Sequence, residues 1–304
     1  MHKKALITGS AGFVGPYLKA ELVIHGYDVF GLDRGNKEEA SVFCGDIRDP
    51  AFVDQIIEQT QPDEIYHLAG FSSVRKSFDE PALTREVNVE GTRNILKAVR
   101  QHAPKAKVLI VSSAHVYGKP GKVPINENEP VKETSPYSQS RIEQEGLMNE
   151  FGDLHIVISR SFDHTGPGQQ PIFVLPDFTR QAVEIEKDKI PPIIFTGNLD
   201  VIRDFSDVRD VVKAYYLLLQ KGKKNGVYNV GSGQGYKISD LLKKIIARSK
   251  KPIEIRQDPL KLRPVDIPEL VADISKIKTD TGWAPNYTID NTLEDLLNYW
   301  RQKP

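Results

Sequence analysis

Through the first half of the chain, short apolar runs alternate with longer stretches in which apolar residues recur at helical spacing. Residues 5–8, 28–33, 64–69, 107–113 and 154–161 read as strands. Between them, helices are predicted from the end of a glycine turn to about residue 25, then over 51–58, 83–101 and 135–151. Continuous apolar strands alternating with helices are the pattern of βαβ units, whose parallel sheet is covered on both faces. Beyond Phe162 the pattern loosens into Gly166-Pro167-Gly168, Pro171, Pro176 and Pro191-Pro192. A clear helix over 207–220 and a strand at Gly226–Val230 follow, so the chain is expected to return to the first sheet. The predicted class is α/β: a Rossmann-like doubly wound parallel sheet with a smaller mixed α/β lobe. Residues 1–163 are expected to form the first domain, with the sheet completed by about 206–231. A substrate lobe is expected from 164–205 and 232–304.

The first strand opens into Gly9-Ser10-Ala11-Gly12-Phe13-Val14-Gly15 and then a helix. Glycines three apart let the backbone bend tightly and approach a pyrophosphate, whose charge sits against free N–H groups at the helix start. Gly9, Gly12, Phe13, Val14 and Gly15 are therefore candidate cofactor contacts. Asp33 ends the second strand, where a carboxylate accepts ribose hydroxyls and repels a 2′-phosphate, favouring NAD over NADP. Arg34 beside it suits a 2′-phosphate instead, and Asp46 and Ile47 are candidates for the adenine.

Composition narrows the class. Lys+Arg and Asp+Glu each total 41, so no net field argues for nucleic acid. The single cysteine, Cys44, excludes an intrachain disulfide and a cysteine-rich metal site, and no metal is expected. No apolar run approaches the roughly 18 residues of a membrane span, and the first strand leaves no room for a signal peptide. A cytoplasmic protein without a membrane partner is the expectation.

A second candidate group lies further on. Ser113 ends an apolar strand, and Tyr137 and Arg141 stand four apart on a predicted helix, sharing one face. A phenol with a reference pKa near 10 is a poor base, and a fixed neighbouring cation favours its ionised form.

Taken together, these residues make the chain resemble the extended short-chain dehydrogenase/reductase family, which acts on nucleotide sugars. The matching elements are the glycine turn, His67-Leu68-Ala69, Asn88-Val89, Gly91-Thr92, Ser112-Ser113, Val116-Tyr117-Gly118 and Tyr137. Further matches are Gly166-Pro167-Gly168, Arg203-Asp204-Phe205, the run from Asn229 to Gly233, and Gly282-Trp283 with Pro285. Gly197 to Asp200 and Leu262-Arg263-Pro264 resemble the branch of GDP-mannose 4,6-dehydratase and GDP-4-keto-6-deoxy-mannose reductase, the reductase more closely.

The resemblance implies roles. Tyr137 would be the acid/base, Ser113 would bond the reacting sugar oxygen, and Arg141 would complete the catalytic set. Leu68, Ala69, Gly70 and His164 would line the cofactor, together with Tyr137 and Arg141. Asp163, Arg203 and Arg263 would face the substrate, with the arginines on its diphosphate. A homodimer through helices near Asn94 and Ser140 is also implied. Three positions depart from the family: Arg141 stands where lysine is usual, Asp163 where asparagine is usual, and His115 where dehydratases carry a glutamate. Dehydration requires that carboxylate, so NAD(P)H-dependent reduction of a nucleotide-linked 4-keto-6-deoxy sugar is expected. The alternatives are a nucleotide-sugar 4-epimerase, a 4,6-dehydratase, and a weakly catalytic NAD(P)-binding protein.

Overall fold

Buried parallel strands need apolar residues on both faces of the pleat, and the alternation in this chain supplies them. The computed structural model describes residues 2–35, 41–262 and 267–304. The first part runs β1 (Lys4–Thr8), α1 (Gly15–Ile24), β2 (Asp28–Asp33), β3 (Val42–Cys44), α2 (Pro50–Thr60) and β4 (Glu64–His67). It continues with α3 (Val74–Asp79), α4 (Pro81–Arg85), α5 (Gly91–His102), β5 (Lys107–Ser113), α6 (Pro136–Glu150) and β6 (His155–Ser161). In β1, Leu6 joins the core beneath α2 and α5, while Ala5 and Ile7 join the core beneath α1 and α8 (Val208–Lys221). Val108 and Ile110 of β5 likewise separate from Leu109, and Ile156 and Ile158 of β6 from Val157.

After β6 come β7 (Asp163–Thr165), α7 (Val174–Glu186), β8 (Ile193–Thr196), β9 (Ile202–Asp207), α8 and β10 (Gly226–Val230). The chain ends with β11 (Gly235–Lys237), α9 (Ile238–Ala247), β12 (Glu254–Gln257), β13 (Glu269–Leu270), α10 (Ser275–Thr281) and α11 (Ile289–Gln302). Among the described residues, seven strands form the main sheet in the order β10-β6-β5-β4-β1-β2-β3, all parallel. The order reverses between β1 and β4, and open α/β sheets bind ligands beyond the carboxyl ends of strands at such a reversal. Thr8 pairs in register with His67 there.

A smaller sheet is centred on β9, which takes β11 antiparallel and β13 and β7 parallel. A two-stranded pair, β8 with β12, completes the lobe. Its core comes from α7, α9 and α11, through Leu175, Phe178, Leu241, Leu242, Leu293 and Leu296. Among the described residues no helix is long and apolar enough to cross a membrane.

Three elements differ from the periodicity. The pattern over 83–101 predicts one helix, yet α4 stops at Arg85 and one π turn, Glu86–Glu90, precedes α5. The wider turn sits where the buried Asn88 accepts from the Phe71 N–H (2.7 Å) and donates to its carbonyl (3.3 Å). The third strand-like run ends at His67, not Ala69, because the chain leaves the ladder at the reversal. The edge strand β3 is too short to show a period.

Asp204 holds the lobe's central strand to its neighbours. Its buried carboxylate accepts from the N–H groups of Ser232 (2.6 Å), Gly233 (2.9 Å) and Ala272 (3.1 Å). Removing the acceptor strands these donors away from water. Asp204→Ala should lower unfolding free energy by about 3 kcal/mol, and Asp204→Asn by less, as read from urea denaturation.

Candidate functional site

The glycine turn sits at the reversal. Gly9 has φ +72°, a left-handed conformation, and donates to the Leu32 carbonyl (2.7 Å). A Cβ there would lie 2.9 Å from the Ala69 nitrogen, and one on Gly15 would lie 2.1 Å from the Ser10 carbonyl oxygen. Helix α1 starts without a side-chain cap, and among the described residues the N–H groups of Phe13 and Val14 meet no acceptor. Free donors at a helix start, with no side chain in the way, fit a pyrophosphate. Asp33 closes the far side, accepting from Ala11 N–H (2.9 Å) and Gly35 N–H (3.2 Å), with Arg34 exposed beside it.

Leu68, Ala69 and Gly70 leave β4 along the same crevice. A Cβ on Gly70 would come within 2.8 Å of Arg141 Nη2 and 3.0 Å of Asn88 Oδ1. Asp46 is engaged by Arg48 (2.7 Å), which holds its carboxyl below the usual range. The Ile47 side chain packs over Gly91, and its carbonyl accepts from Asn94 (3.1 Å).

Tyr137 and Arg141 meet on the first turns of α6, and Ser113 ends β5 two residues before His115, whose ring reaches Tyr137. Pro136 and the reciprocal Ser135–Ser138 capping box start α6, which fixes Tyr137 in its first turn. Tyr137 is buried, and its backbone N–H donates to Ser77 Oγ (3.2 Å). The half-buried His115 presents its ring edge-on at 6.0 Å, and the Arg141 guanidinium carbon lies 5.3 Å from the Tyr137 ring centroid. Ser113 Oγ accepts from the His115 N–H (3.2 Å).

Arg141 is itself only 5% exposed. It donates through Nη1 to the Val111 carbonyl (3.0 Å) and Gln144 Oε1 (2.8 Å), and through Nη2 to the Phe71 carbonyl (3.4 Å). Its buried Nε has no partner, and among the described residues no carboxylate lies within ion-pair distance. A buried cation held only by neutral oxygens is costly, and it suits a site where negative charge arrives or develops.

The lobe supplies the other wall. Asp163 on β7 lies 3.8 Å from the buried Arg203 on β9, so the two charges offset each other across paired strands. His164 donates from Nδ1 to the Phe162 carbonyl (3.1 Å), and its ring stacks on Phe13 of the glycine turn at 6.3 Å and 10°. Burial pushes its pKa below the ordinary imidazole value. Tyr17 of α1 also reaches the lobe, donating to the Pro167 carbonyl (2.8 Å). Arg263 lies outside the described residues. Among the described residues no cluster of His, Cys, Asp or Glu is placed to hold a metal.

Sequence reasoning gave no role to the polar groups beneath this site: Thr8, His67, Asn88, Thr92 and Gln144. The available signal was spacing, since Thr92 follows Asn88 by one turn and Gln144 shares the helix face of Arg141. His67 lies between Thr8 (Oγ1 to Nδ1, 2.7 Å) and Thr92 (Oγ1 to Nε2, 2.8 Å). Burial, reinforced by the charge of Arg141, pushes its pKa down to about 3.

Folding therefore excludes a proton that the unfolded chain binds once pH falls below about 6.5. The native state is favoured above that pH, and this stabilisation declines towards about pH 3, by about 1.4 kcal/mol per pH unit at most. Urea unfolding at about pH 7 and about pH 5 should show a shallower pH dependence in His67→Gln than in the unaltered protein.

Similarity to known proteins follows the same outline. The sequence profile described as GDP-mannose 4,6 dehydratase matches residues 6–296. The chain is 31% identical to a GDP-6-deoxy-D-mannose reductase of Pseudomonas aeruginosa, over 100% of this chain and 99% of that protein. The solved structure of RMD from Pseudomonas aeruginosa with NADPH superposes with TM-score 0.89 at 30% identity, covering 99% of this chain and 100% of that one. A Thermus thermophilus UDP-glucose 4-epimerase with NAD gives TM-score 0.89 at 27% identity, again over 99% and 100%. With a seven-stranded parallel sheet, an open glycine turn and full-length similarity, the chain belongs to the extended short-chain dehydrogenase/reductase family of NAD(P)-dependent nucleotide-sugar enzymes.

Proposed function

We propose that this protein reduces the 4-keto group of a nucleotide-linked 4-keto-6-deoxy sugar, with GDP-4-keto-6-deoxy-mannose as the leading substrate. The observation that carries the reading is the group around Tyr137: a buried cation lies by its ring, and the residues that follow Ser113, Ala114-His115, bring an imidazole to it and no carboxylate. A dehydratase needs a base and acid at that place; a ketone reductase needs only one proton donor. The similarity to a GDP-6-deoxy-D-mannose reductase supports the same choice.

When bound, the reduced nicotinamide supplies the hydride. Ser113 donates a hydrogen bond to the ketone oxygen, and Tyr137 gives that oxygen its proton as negative charge develops. Arg141 compensates the phenolate left behind. Phe13 and Val14 N–H groups hold the pyrophosphate, and Leu68, Ala69 and Gly70 line the crevice beside it. Asp33 takes the ribose hydroxyls, which favours NADH; Arg34 is the adjacent group suited to a 2′-phosphate. Arg203 and Arg263 hold the sugar nucleotide's diphosphate, with Asp163 beside it, and His164 lines the cofactor. In this reading 1–163 and about 206–231 serve the dinucleotide, while 164–205 and 232–304 serve the substrate. A homodimer belongs to the reading too. Ser140 is buried against Asn88, so the exposed faces of α5 and α6, the helices that carry Asn94 and Ser140, would make that contact.

A 4-epimerase is the second reading, favoured by the superposition with the Thermus thermophilus enzyme. Absorbance of the reduced nicotinamide separates the two: a reductase consumes it in proportion to keto sugar, and an epimerase shows no net consumption. Tyr137→Phe should lower the ketone-reduction rate by on the order of 10²- to 10⁴-fold while leaving dinucleotide binding in place. A variant as fast as the unaltered enzyme removes Tyr137 from the mechanism.

A further inference from the structure

The polar groups behind Arg141 form a chain whose every hydrogen has one permitted direction. Arg141 can only donate, so the group it meets at Gln144 is the carbonyl oxygen, 2.8 Å from Nη1. The amide nitrogen of Gln144 therefore faces the other way and donates to Thr92 Oγ1 (2.7 Å). The single hydroxyl hydrogen of Thr92 goes to the Asn88 carbonyl (2.7 Å), which leaves its oxygen able only to accept from His67 Nε2 (2.8 Å). A neutral His67 with its proton on Nε2 accepts at Nδ1 from the Thr8 hydroxyl (2.7 Å). Thr8 Oγ1 in turn accepts from the Ala69 N–H (3.1 Å). Thr8, His67, Thr92 and Gln144 are all at most 1% exposed.

We propose that Gln144 is the positioning residue for Arg141, tying its guanidinium through Thr92 and His67 to the strand ends that flank the dinucleotide turn. This rests on the reading that Arg141 faces the bound dinucleotide and Tyr137. Gln144 and two backbone carbonyls engage both terminal nitrogens of the guanidinium, and the buried Nε has no protein partner. The choice of an amide has a chemical reason. A carboxylate at this place would hold the guanidinium more strongly but would cancel its charge, whereas glutamine fixes the group and leaves the charge available to a ligand. The π turn belongs to the same device, because Asn88 accepts the Thr92 proton with its carbonyl and meets Phe71 with its side chain.

The test is a double-mutant cycle on the full-length protein, read as the dissociation constant for NADH by nicotinamide fluorescence, with thermal melting as the control for folding. Gln144→Leu is expected to weaken NADH binding about tenfold when residue 141 is arginine, and less than about twofold in the Arg141→Lys background. A residue that merely packs would give the same loss in both backgrounds, and that result, or no loss at all, overturns the proposal. Should Gln144→Leu not fold, the same cycle with Thr92→Val decides, because it removes Gln144's acceptor without touching Arg141. Thr92→Ser, which keeps the hydroxyl, is expected to restore binding; failure of serine to do so counts against the chain. None of these measurements uses a sugar, so a protein that binds NADH yet reduces no ketone defeats the reductase reading and leaves the cycle to judge Gln144.

Discussion

The reversal of strand order between β1 and β4 is the constraint on which the remainder depends. From β1 the sheet grows one way through β2 and β3, and from β4 it grows the other way, so helices leaving these strands diverge to opposite faces. A crevice opens where they part, and everything with candidate chemistry borders it: the turn after Thr8, the segment after His67, and the end of β5 at Ser113. The parallel register that sets Thr8 opposite His67 also brings two buried polar side chains within hydrogen-bond distance. A slip in that register would strand both of them in an apolar core, where an unpaired polar group costs on the order of 1–3 kcal/mol.

How much of this was legible in the sequence depends on whether a property is local. Strands β1, β2, β4, β5 and β6 and helices α1, α2 and α6 were readable because burial on two faces imposes continuous apolar runs, and helices between them keep their own period. Tyr137 and Arg141 were readable as neighbours because four residues make about one helical turn, and ring and guanidinium do meet. The π turn was not readable, since Leu83, Val87, Ile95 and Val99 keep helical spacing whichever way Asn88 is turned. Nor was the chain from Thr8 to Gln144. Its members come from β1, β4, α5 and α6, and only the packing of those elements makes a threonine and a glutamine complementary.

Two groups of buried polar residues in this protein are tightly directed. Beneath the crevice, His67 and Thr92 use their donors and acceptors on one another and on the backbone. In the lobe, Asp204 does comparable work with backbone N–H groups from two separate segments. Such networks define a single arrangement more sharply than apolar packing, because a misplaced partner leaves a specific group unsatisfied. Arg141 Nε is one of eight buried side-chain atoms without a partner among the described residues, and it stands beside Tyr137 at the edge of the crevice.

The stacking of Phe13 on His164 has a mechanical consequence. One ring belongs to the turn between β1 and α1, the other to β7, the first strand of the lobe, and the Tyr17 hydroxyl spans the same junction. The glycine turn and the lobe thus share a partition wall made of side chains from both, and a shift of the lobe displaces that wall on each side at once.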